Sequence, residues 1–334
     1  MERFFLKDKY TCIEVNSSFD SVSQYIKPYF YSYMDIEKDS NNEKSDIKLY
    51  LFNDEKQNFR YENELNGNPI IISKANKEVA TIIKSRNEEA ILYIKRVLEN
   101  LRNRILESKG ALFLHSSGIS IDNDGILFIG NKGNGKTTNM LYMLERENVS
   151  YISNDKVALM PTENGIDIIG VPTRMNIRIG TLENNQQLKE KLWNSINIYQ
   201  YYDLLNNYNE TNTNERLLLS LENLKTNLGI KESPIVKLNS IIYTQYDKNT
   251  KFDMRHITTN DMLALIKGQV INGVYKEHRI LESCIDKKES NIENFINNDY
   301  NYFYLKQNCN NSEEIYSILS RVLYKEMDIN ERDK

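Results

Sequence analysis

Eight consecutive residues, Gly130-Asn131-Lys132-Gly133-Asn134-Gly135-Lys136-Thr137, limit what this chain can fold into more than any others. They fit the spacing G-x-x-x-x-G-K-[ST]. An apolar run, Ile126-Leu127-Phe128-Ile129, precedes them, and a helical stretch from Lys136 to Glu147 follows. A buried strand that turns through glycines into a helix belongs to a layered α/β domain. The glycines let consecutive N–H groups point inward at phosphate oxygens, and the helix N-terminus adds positive potential. Lys136 offers a point charge to the β- and γ-phosphates, and Thr137 offers a hydroxyl to Mg²⁺. Gly130, Gly133, Asn134, Gly135, Lys136, Thr137 and Thr138 are therefore the candidate phosphate-binding set. The implied cofactors are ATP or GTP with Mg²⁺. Lys132, inside the loop, reads as solvated.

The residues around the loop narrow its use. His115 closes an apolar run, Ala111-Leu112-Phe113-Leu114, a strand expected to pair beside the loop strand. Asp155 follows Tyr151-Ile152-Ser153, at the C-terminal end of the next expected strand. In open α/β sheets ligands sit at that end. His115, Lys136, Thr137 and Asp155 are thus expected to converge on one phosphate, with Thr137 and Asp155 as the metal-binding pair. Arg174 and Arg178 follow the turn Gly170–Pro172, and one of them is expected to bring positive charge to the transferring group. His256 and His278 stand in polar surroundings with no partner motif. Trp193 and the tyrosines Tyr199, Tyr201 and Tyr202 read as packing or a partner surface.

The rest of the chain bounds the setting. Its 334 residues suffice for two domains. Residues 1–85 show short alternating segments, Thr11–Val15 and Ile47–Phe52, then the turn Asn66-Gly67-Asn68-Pro69 before Ile70-Ile71-Ile72. They read as a small α+β domain, and residues 86–330 as the loop-bearing domain. A helix opens the second domain. Ser85 and Glu88 have capping-box spacing, Ile91, Ile94, Leu98, Leu101 and Ile105 line one face, and Gly110 ends it. Its Lys95, Arg96, Arg102 and Arg104 read as a solvated face. Asp122–Gly125 reads as a hairpin turn, Asp39–Lys44 and Asn206–Asn214 as exposed loops, and Glu313–Lys325 as a terminal helix. With 43 basic and 47 acidic residues the net charge is −4, which gives no general pull towards nucleic acid or anionic membrane. Mean hydropathy is −0.60, and no apolar run approaches the roughly 18 residues of a membrane helix. The start of the chain lacks a signal-peptide pattern, so the expected location is cytoplasmic. Cys12, Cys284 and Cys309 form no CxxC pair, so neither a disulfide framework nor a structural metal site is expected.

Three segments together resemble a known family. They are Leu114-His115-Ser116-Ser117-Gly118, the run from Gly125 through Thr138, and Tyr151-Ile152-Ser153-Asn154-Asp155-Lys156-Val157. They look like HPr kinase/phosphorylase and its relatives, among them kinase-like proteins of bacterial peptide-tailoring clusters. Gly170-Val171-Pro172-Thr173-Arg174 resembles a segment of those relatives too. The resemblance implies a carboxykinase-like P-loop domain with a mixed sheet, after the small N-terminal domain. It implies an ATP-dependent kinase that phosphorylates a hydroxyl, Ser or Thr of a peptide or small protein, with Asp155, His115, Asn154 and Arg174 as its catalytic residues. One position departs from the family: its Asp-Asp pair is Asn154-Asp155 here, and an amide cannot accept the proton of an attacking hydroxyl. The alternatives are a non-catalytic nucleotide-binding regulator or peptide carrier, and a small-molecule kinase of the free-serine type. The acceptor and the oligomeric state stay open, a homo-oligomer included.

Overall fold

The structure is a computed structural model. It describes residues 2–30, 32–38, 44–53, 63–83, 87–183, 189–191, 216–219, 221–297, 299–308 and 312–323. The expectations for Asp39–Asn42, Asn206–Asn214, Trp193, Tyr199, Tyr201, Tyr202 and Cys309 lie outside these residues. The chain is a mixed α/β protein of two compact units. The first is Met1–Phe113 with Ile271–Ser290, and the second is Leu114–Val270 with Asn291–Lys334. No helix among the described residues is long and apolar enough to cross a membrane.

The first unit is built on β1 (Glu2–Lys7), β2 (Cys12–Ser17), β3 (Asp35–Glu37), β4 (Ile47–Phe52), β5 (Asn63–Leu65), β6 (Asn68–Ser73) and β7 (Glu78–Ile82). They form a seven-stranded sheet in the order β3-β1-β2-β4-β7-β6-β5. The central pairs β2–β4 and β4–β7 are parallel, and the outer pairs are antiparallel. Helix α1 (Val22–Phe30) lies between β2 and β4 in sequence, and α2 (Glu88–Ser108) follows β7. The turn at Asn66-Gly67 is a two-residue hairpin. Both residues have positive φ, 51° and 75°, and Leu65 pairs with Asn68.

Helix α2 overturns three expectations. Its N-cap is Asn87, whose Oδ1 accepts from the Ala90 N–H, in place of a Ser85 capping box. Of its basic residues Arg96 is exposed as expected, but Lys95 is half-buried and Arg102 and Arg104 are buried. Arg102 is 0% exposed and its Nε donates to Asp8 Oδ2 at 2.7 Å, while Lys95 pairs with Glu99. Arg104 donates to the Ile285 carbonyl at 2.7 Å and to Glu107 at 3.0 Å. Third, the helix lies inside the first unit, so the division does not fall at residue 85. The physical reason is a polar seam between α2 and the returning segment. Asn103 Nδ2 donates to the Gly273 carbonyl at 2.9 Å, Asn100 Oδ1 accepts from the Tyr275 N–H at 2.8 Å, and Glu107 Oε1 accepts from the Gly273 N–H at 3.0 Å. The backbone of 273–285, mostly 3₁₀ over Lys276–Cys284, finds on α2 the partners that buried polar groups require.

The second unit begins as the chain leaves β8 (Leu112–Leu114). Its strands are β9 (Ser117–Ile121), β10 (Asp124–Ile129), β11 (Val149–Ser153), β12 (Val157–Thr162), β13 (Gly165–Gly170), β14 (Met175–Arg178), β15 (Arg216–Leu219), β16 (Lys231–Glu232), β17 (Ile235–Tyr246), β18 (Asp253–His256) and β20 (Asn301–Gln307), with β19 (Val270–Ile271) at its edge. Its helices are α3 (Lys136–Met143), α4 (Ile179–Glu183), α5 (Leu221–Leu228), α6 (Thr259–Ile266) and α7 (Ser312–Leu323). The main sheet contains the run β16-β11-β9-β10-β17-β13-β12. β17 forks: Ile235–Lys237 pair with β13, and Ser240–Tyr246 pair in parallel with β20. β10 is parallel to β17, and its Ile126, Leu127, Phe128 and Ile129 are all 0% exposed, as expected for a strand covered on both faces. The hairpin before it turns only through Asp122 and Asn123, both at positive φ. Gly125 already lies in the strand, where a Cβ would come within 2.6 Å of the Lys237 carbonyl. β14 and β15 form a separate antiparallel ribbon.

Candidate functional site

Sheet topology brings the candidate residues to one edge. β9 is antiparallel to both β10 and β11 and lies between them. β10 and β11 therefore end where β9 begins. Phe128 pairs with Ser117, and Ser153 pairs with Gly118. The loop after β10, the Asn154-Asp155 bend after β11 and His115 just before β9 consequently meet. The strand that His115 closes does not lie beside the loop strand as expected: β8 sits between β12 and β19, and β9, entered directly after His115, is the neighbour of β10.

The loop itself is shaped by its glycines and by Thr244. Gly130 has φ 142°, and a Cβ there would stand 2.5 Å from the Thr244 carbonyl oxygen, so no side chain fits. Thr244 Oγ1 donates to the Ile129 carbonyl at 3.1 Å and ties β17 to the last residue before the loop. Gly135 is the N-cap of α3 in the left-handed region, with no side-chain cap bond, so no side chain competes for the first N–H groups of the helix. Lys136 is buried, and its Nζ donates to the Gly130 carbonyl at 2.6 Å and the Asn131 carbonyl at 3.3 Å. Burial pushes its pKa down to about 8. The Asp155 carboxylate opposes that shift, and the Arg178 guanidinium adds to it. Lys132 is exposed, and Thr138 Oγ1 lies 3.4 Å from Thr181 Oγ1. The helix expected to reach Glu147 ends at Met143.

Asn154 is fully buried, and its Oδ1 accepts from two hydroxyls, Ser117 at 2.8 Å and Thr137 at 3.0 Å. Both lone pairs of that oxygen are spent on the protein. Its Nδ2 has no hydrogen-bond partner among the described residues. Asn154 thus anchors the Thr137 hydroxyl; its oxygen is not left open to a substrate. Because the Thr137 proton points at Asn154, the lone pairs of Thr137 stay available to a cation.

Asp155 has φ 67°, in the left-handed region that a non-glycine residue occupies at a cost. Its backbone carbonyl lies 2.9 Å from His115 Nδ1, and its Oδ2 accepts from Asn176 Nδ2 at 3.2 Å. A carbonyl can only accept, so Nδ1 of the neutral imidazole carries the proton and Nε2 carries the lone pair. The His115 N–H donates to the Gln269 carbonyl at 2.8 Å, which fixes the residue from behind. Ser153 Oγ has the Lys156 and Val171 carbonyls at 2.7 and 3.0 Å to share its one proton and accepts from the Val171 N–H, which holds the 170–172 turn against this bend.

Of the two arginines after that turn, the structure brings Arg178 to the loop. Arg174 is exposed and forms no ion pair or hydrogen bond among the described residues. Arg178 Nη1 stands 3.8 Å from where a Cβ on Gly133 would lie. His256 packs its ring on Phe303, 4.3 Å between centroids, and His278 belongs to the first unit beside Asn66. Sequence reasoning missed Ser117, Asn176 and Arg216 as members of this neighbourhood. The apolar run Leu217-Leu218-Leu219 marks a strand, but nothing local in the sequence ties Arg216 to the loop.

The set fits a nucleotide with Mg²⁺ on three observations: a loop turned through Gly130, Gly133 and Gly135, all at positive φ, a buried ammonium whose hydrogen bonds among the described residues go to loop carbonyls, and a hydroxyl with its lone pairs unused beside one carboxylate. No family model matches the chain, and no curated protein matches it. Among solved structures, the Hpr(Ser) kinase/phosphatase from Coxiella burnetii is similar to it over 64% of this chain and 97% of that chain, at 11% identity and a TM-score of 0.30. A likeness of that size concerns fold alone and assigns no residue a role.

Proposed function

We propose that this chain binds a nucleoside triphosphate through Gly130–Thr138 and transfers its terminal phosphoryl group to a hydroxyl of a peptide or small protein. The observation that carries the reading is Lys136. A buried ammonium whose hydrogen-bond partners among the described residues are the carbonyls of its own loop gains a stronger partner when phosphate oxygens replace them. Thr137 and Asp155 would hold Mg²⁺, which neutralises phosphate charge when bound. The acceptor hydroxyl attacks the γ-phosphorus, the bond to the β–γ bridging oxygen breaks, and the diphosphate leaves. The acceptor proton passes to His115 Nε2, whose tautomer is set by the Asp155 carbonyl. Asn154 holds Thr137 in place and takes no proton. Phosphoryl transfer depends more on position and charge than on a base, so an amide here does not forbid turnover.

A second reading, a nucleotide-binding module without turnover, is favoured by the same Asn154, since the site keeps one carboxylate where the resembled family has two. One experiment addresses both readings. Lys136→Ala should abolish the thermal stabilisation given by Mg-ATP while keeping the ligand-free midpoint. Wild-type protein with γ-labelled ATP and candidate peptides should then show transfer, read by mass spectrometry. Equal ATP affinity in wild type and Lys136→Ala would remove the nucleotide reading. Binding with no label transferred to peptide, and no hydrolysis, would leave the module.

A further inference from the structure

The β14–β15 ribbon carries two charges that no carboxylate among the described residues neutralises. Its register sets Met175 against Leu219, Ile177 against Leu217, and Arg178 directly against Arg216. Met175, Ile177, Leu217 and Leu219 are buried, so strand alternation places Asn176, Arg178 and Arg216 together on the other face. That face is turned to the loop. Asn176 reaches the Asp155 carboxylate at 3.2 Å, and Arg178 Nη1 stands 3.8 Å from the Gly133 Cβ position. Residues directly opposed on an antiparallel pair have Cβ atoms about 4.5–5.5 Å apart, and like charges there repel. Neither arginine forms an ion pair with a carboxylate among the described residues. Arg178 also opposes the charge on Lys136. Lys136 and Arg178 thus repel each other beside Asp155, and Arg216 stands opposite Arg178. The arrangement costs the empty protein stability, and an anion placed among them reverses the sign.

We propose that Arg178 and Arg216 form a two-guanidinium clamp for a phosphate group held over the tip of the loop at Gly133, with the terminal phosphate of the bound triphosphate as its occupant. The clamp rests on the nucleotide reading and sharpens it: Lys136 and the loop hold the polyphosphate in general, and the ribbon tells a triphosphate from a diphosphate. A planar guanidinium donates two parallel N–H bonds to a phosphate, which a lysine cannot do. Two such forks match a group that carries most of its charge on terminal oxygens. Ligand binding would also fix the ribbon against Asp155 through Asn176.

The test compares affinities for Mg-ATP and Mg-ADP by titration calorimetry in wild type, Arg178→Gln, Arg216→Gln and Arg216→Lys. Each glutamine variant should lose about tenfold or more in ATP affinity and less than about twofold in ADP affinity. Arg216→Lys should fall between, since it keeps the charge and loses the fork. The ligand-free thermal midpoint of Arg216→Gln should equal or exceed that of wild type, because a repulsion is relieved; a midpoint clearly below wild type would show a structural arginine and overturn the clamp. Inorganic phosphate titrated into ADP-loaded protein separates the sources. If both nucleotide affinities hold and wild type alone binds phosphate, the clamp exists but its occupant is a separate phosphate, and the terminal-phosphate assignment is overturned. If neither the ATP/ADP ratio nor phosphate binding changes, the clamp is wrong and the nucleotide reading survives. Wild-type protein that binds neither nucleotide overturns both.

Discussion

Arginines do opposite work in the two units. In the first, Arg102 is sealed from solvent with its Nε on Asp8, and Arg104 spends its donors on Ile285 and Glu107. In the second, Arg178 and Arg216 face each other across a ribbon with no carboxylate partner among the described residues. The first pair finds carboxylates within the chain and holds distant segments together. The second has no carboxylate among the described residues and stands beside the glycine-rich loop Gly130–Lys136. Charge alone does not mark a functional residue; a charge that the fold leaves unneutralised next to a cradle of N–H groups does.

The largest effect expected from this contrast lies in the first unit. Asp8 is the partner of Arg102, and its Oδ1 also accepts from the N–H groups of Tyr10 and Thr11 at 2.8 and 2.7 Å. Asp8→Asn keeps an acceptor for those two bonds, removes the charge that balances the guanidinium and turns the Oδ2 position into a donor facing Arg102 Nε. Denaturant unfolding should show a loss of about 3–5 kcal/mol, the usual result of stranding a buried charge. Arg102→Met should cost less, because Asp8 would keep two backbone donors. A loss below about 1 kcal/mol for Asp8→Asn would break the comparison, since Arg102 would then be as unused as Arg216.

A smaller and sharper effect should appear at Lys136. Its pKa of about 8 is below the ordinary value of 10.5, mainly through burial. Between those two values the folded state binds fewer protons than the unfolded chain, so this group's contribution to ligand-free stability rises with pH over that window. Phosphate bound beside it favours the charged ammonium and lifts the pKa. ATP affinity should therefore be level just below pH 8 and fall above it, approaching tenfold per unit, with proton uptake on binding seen by calorimetry in buffers of different ionisation heat. Lys136→Met should lose both features. An unchanged affinity from pH 7 to 9.5 in wild type would show that the ammonium does not meet the phosphate.

What the sequence made legible was local. The phosphate loop is contiguous, and its strand, glycines and helix start lie within one short stretch. His115 and Asp155 could be placed because each ends an apolar run, and strand ends in such a sheet share an edge. The hairpin turns were visible in Asn66-Gly67 and Asp122-Asn123, though Gly125 looked like part of a turn and is a strand glycine forced by close packing. What stayed hidden depends on long-range pairing. Arg102 looks solvated on a helical wheel, and its partner lies 94 residues away. Arg216 acquires meaning only through a register with Arg178, 216 − 178 = 38 residues earlier, set by Met175, Ile177, Leu217 and Leu219. The boundary at residue 85 failed for the same reason: the chain from Ile271 to Ser290 returns to the first unit, and helix periodicity does not report who accepts from Asn103.

The smallest effect expected tests whether burial, and not charge pairing as such, separates the two kinds of arginine and lysine. Lys74 and Asp286 form a close ion pair at 2.6 Å within the first unit, and Asp286 lies on the returning segment. By distance alone it equals the Asp8–Arg102 pair. Its side chains, however, are 58% and 82% exposed, against 0% and 2% for Arg102 and Asp8. Water and salt screen an exposed pair and entropy opposes it, so such pairs contribute about 0–1 kcal/mol. The returning segment is held instead by the buried acceptors and donors of α2, which are unaffected by a change at its surface. Asp286→Asn should therefore alter unfolding free energy by less than about 0.5 kcal/mol, and the small difference should vanish in 1 M salt, where the screening length is about 3 Å. A loss comparable to that of Asp8→Asn, persisting in high salt, would mean that ion pairs anchor this segment whatever their exposure.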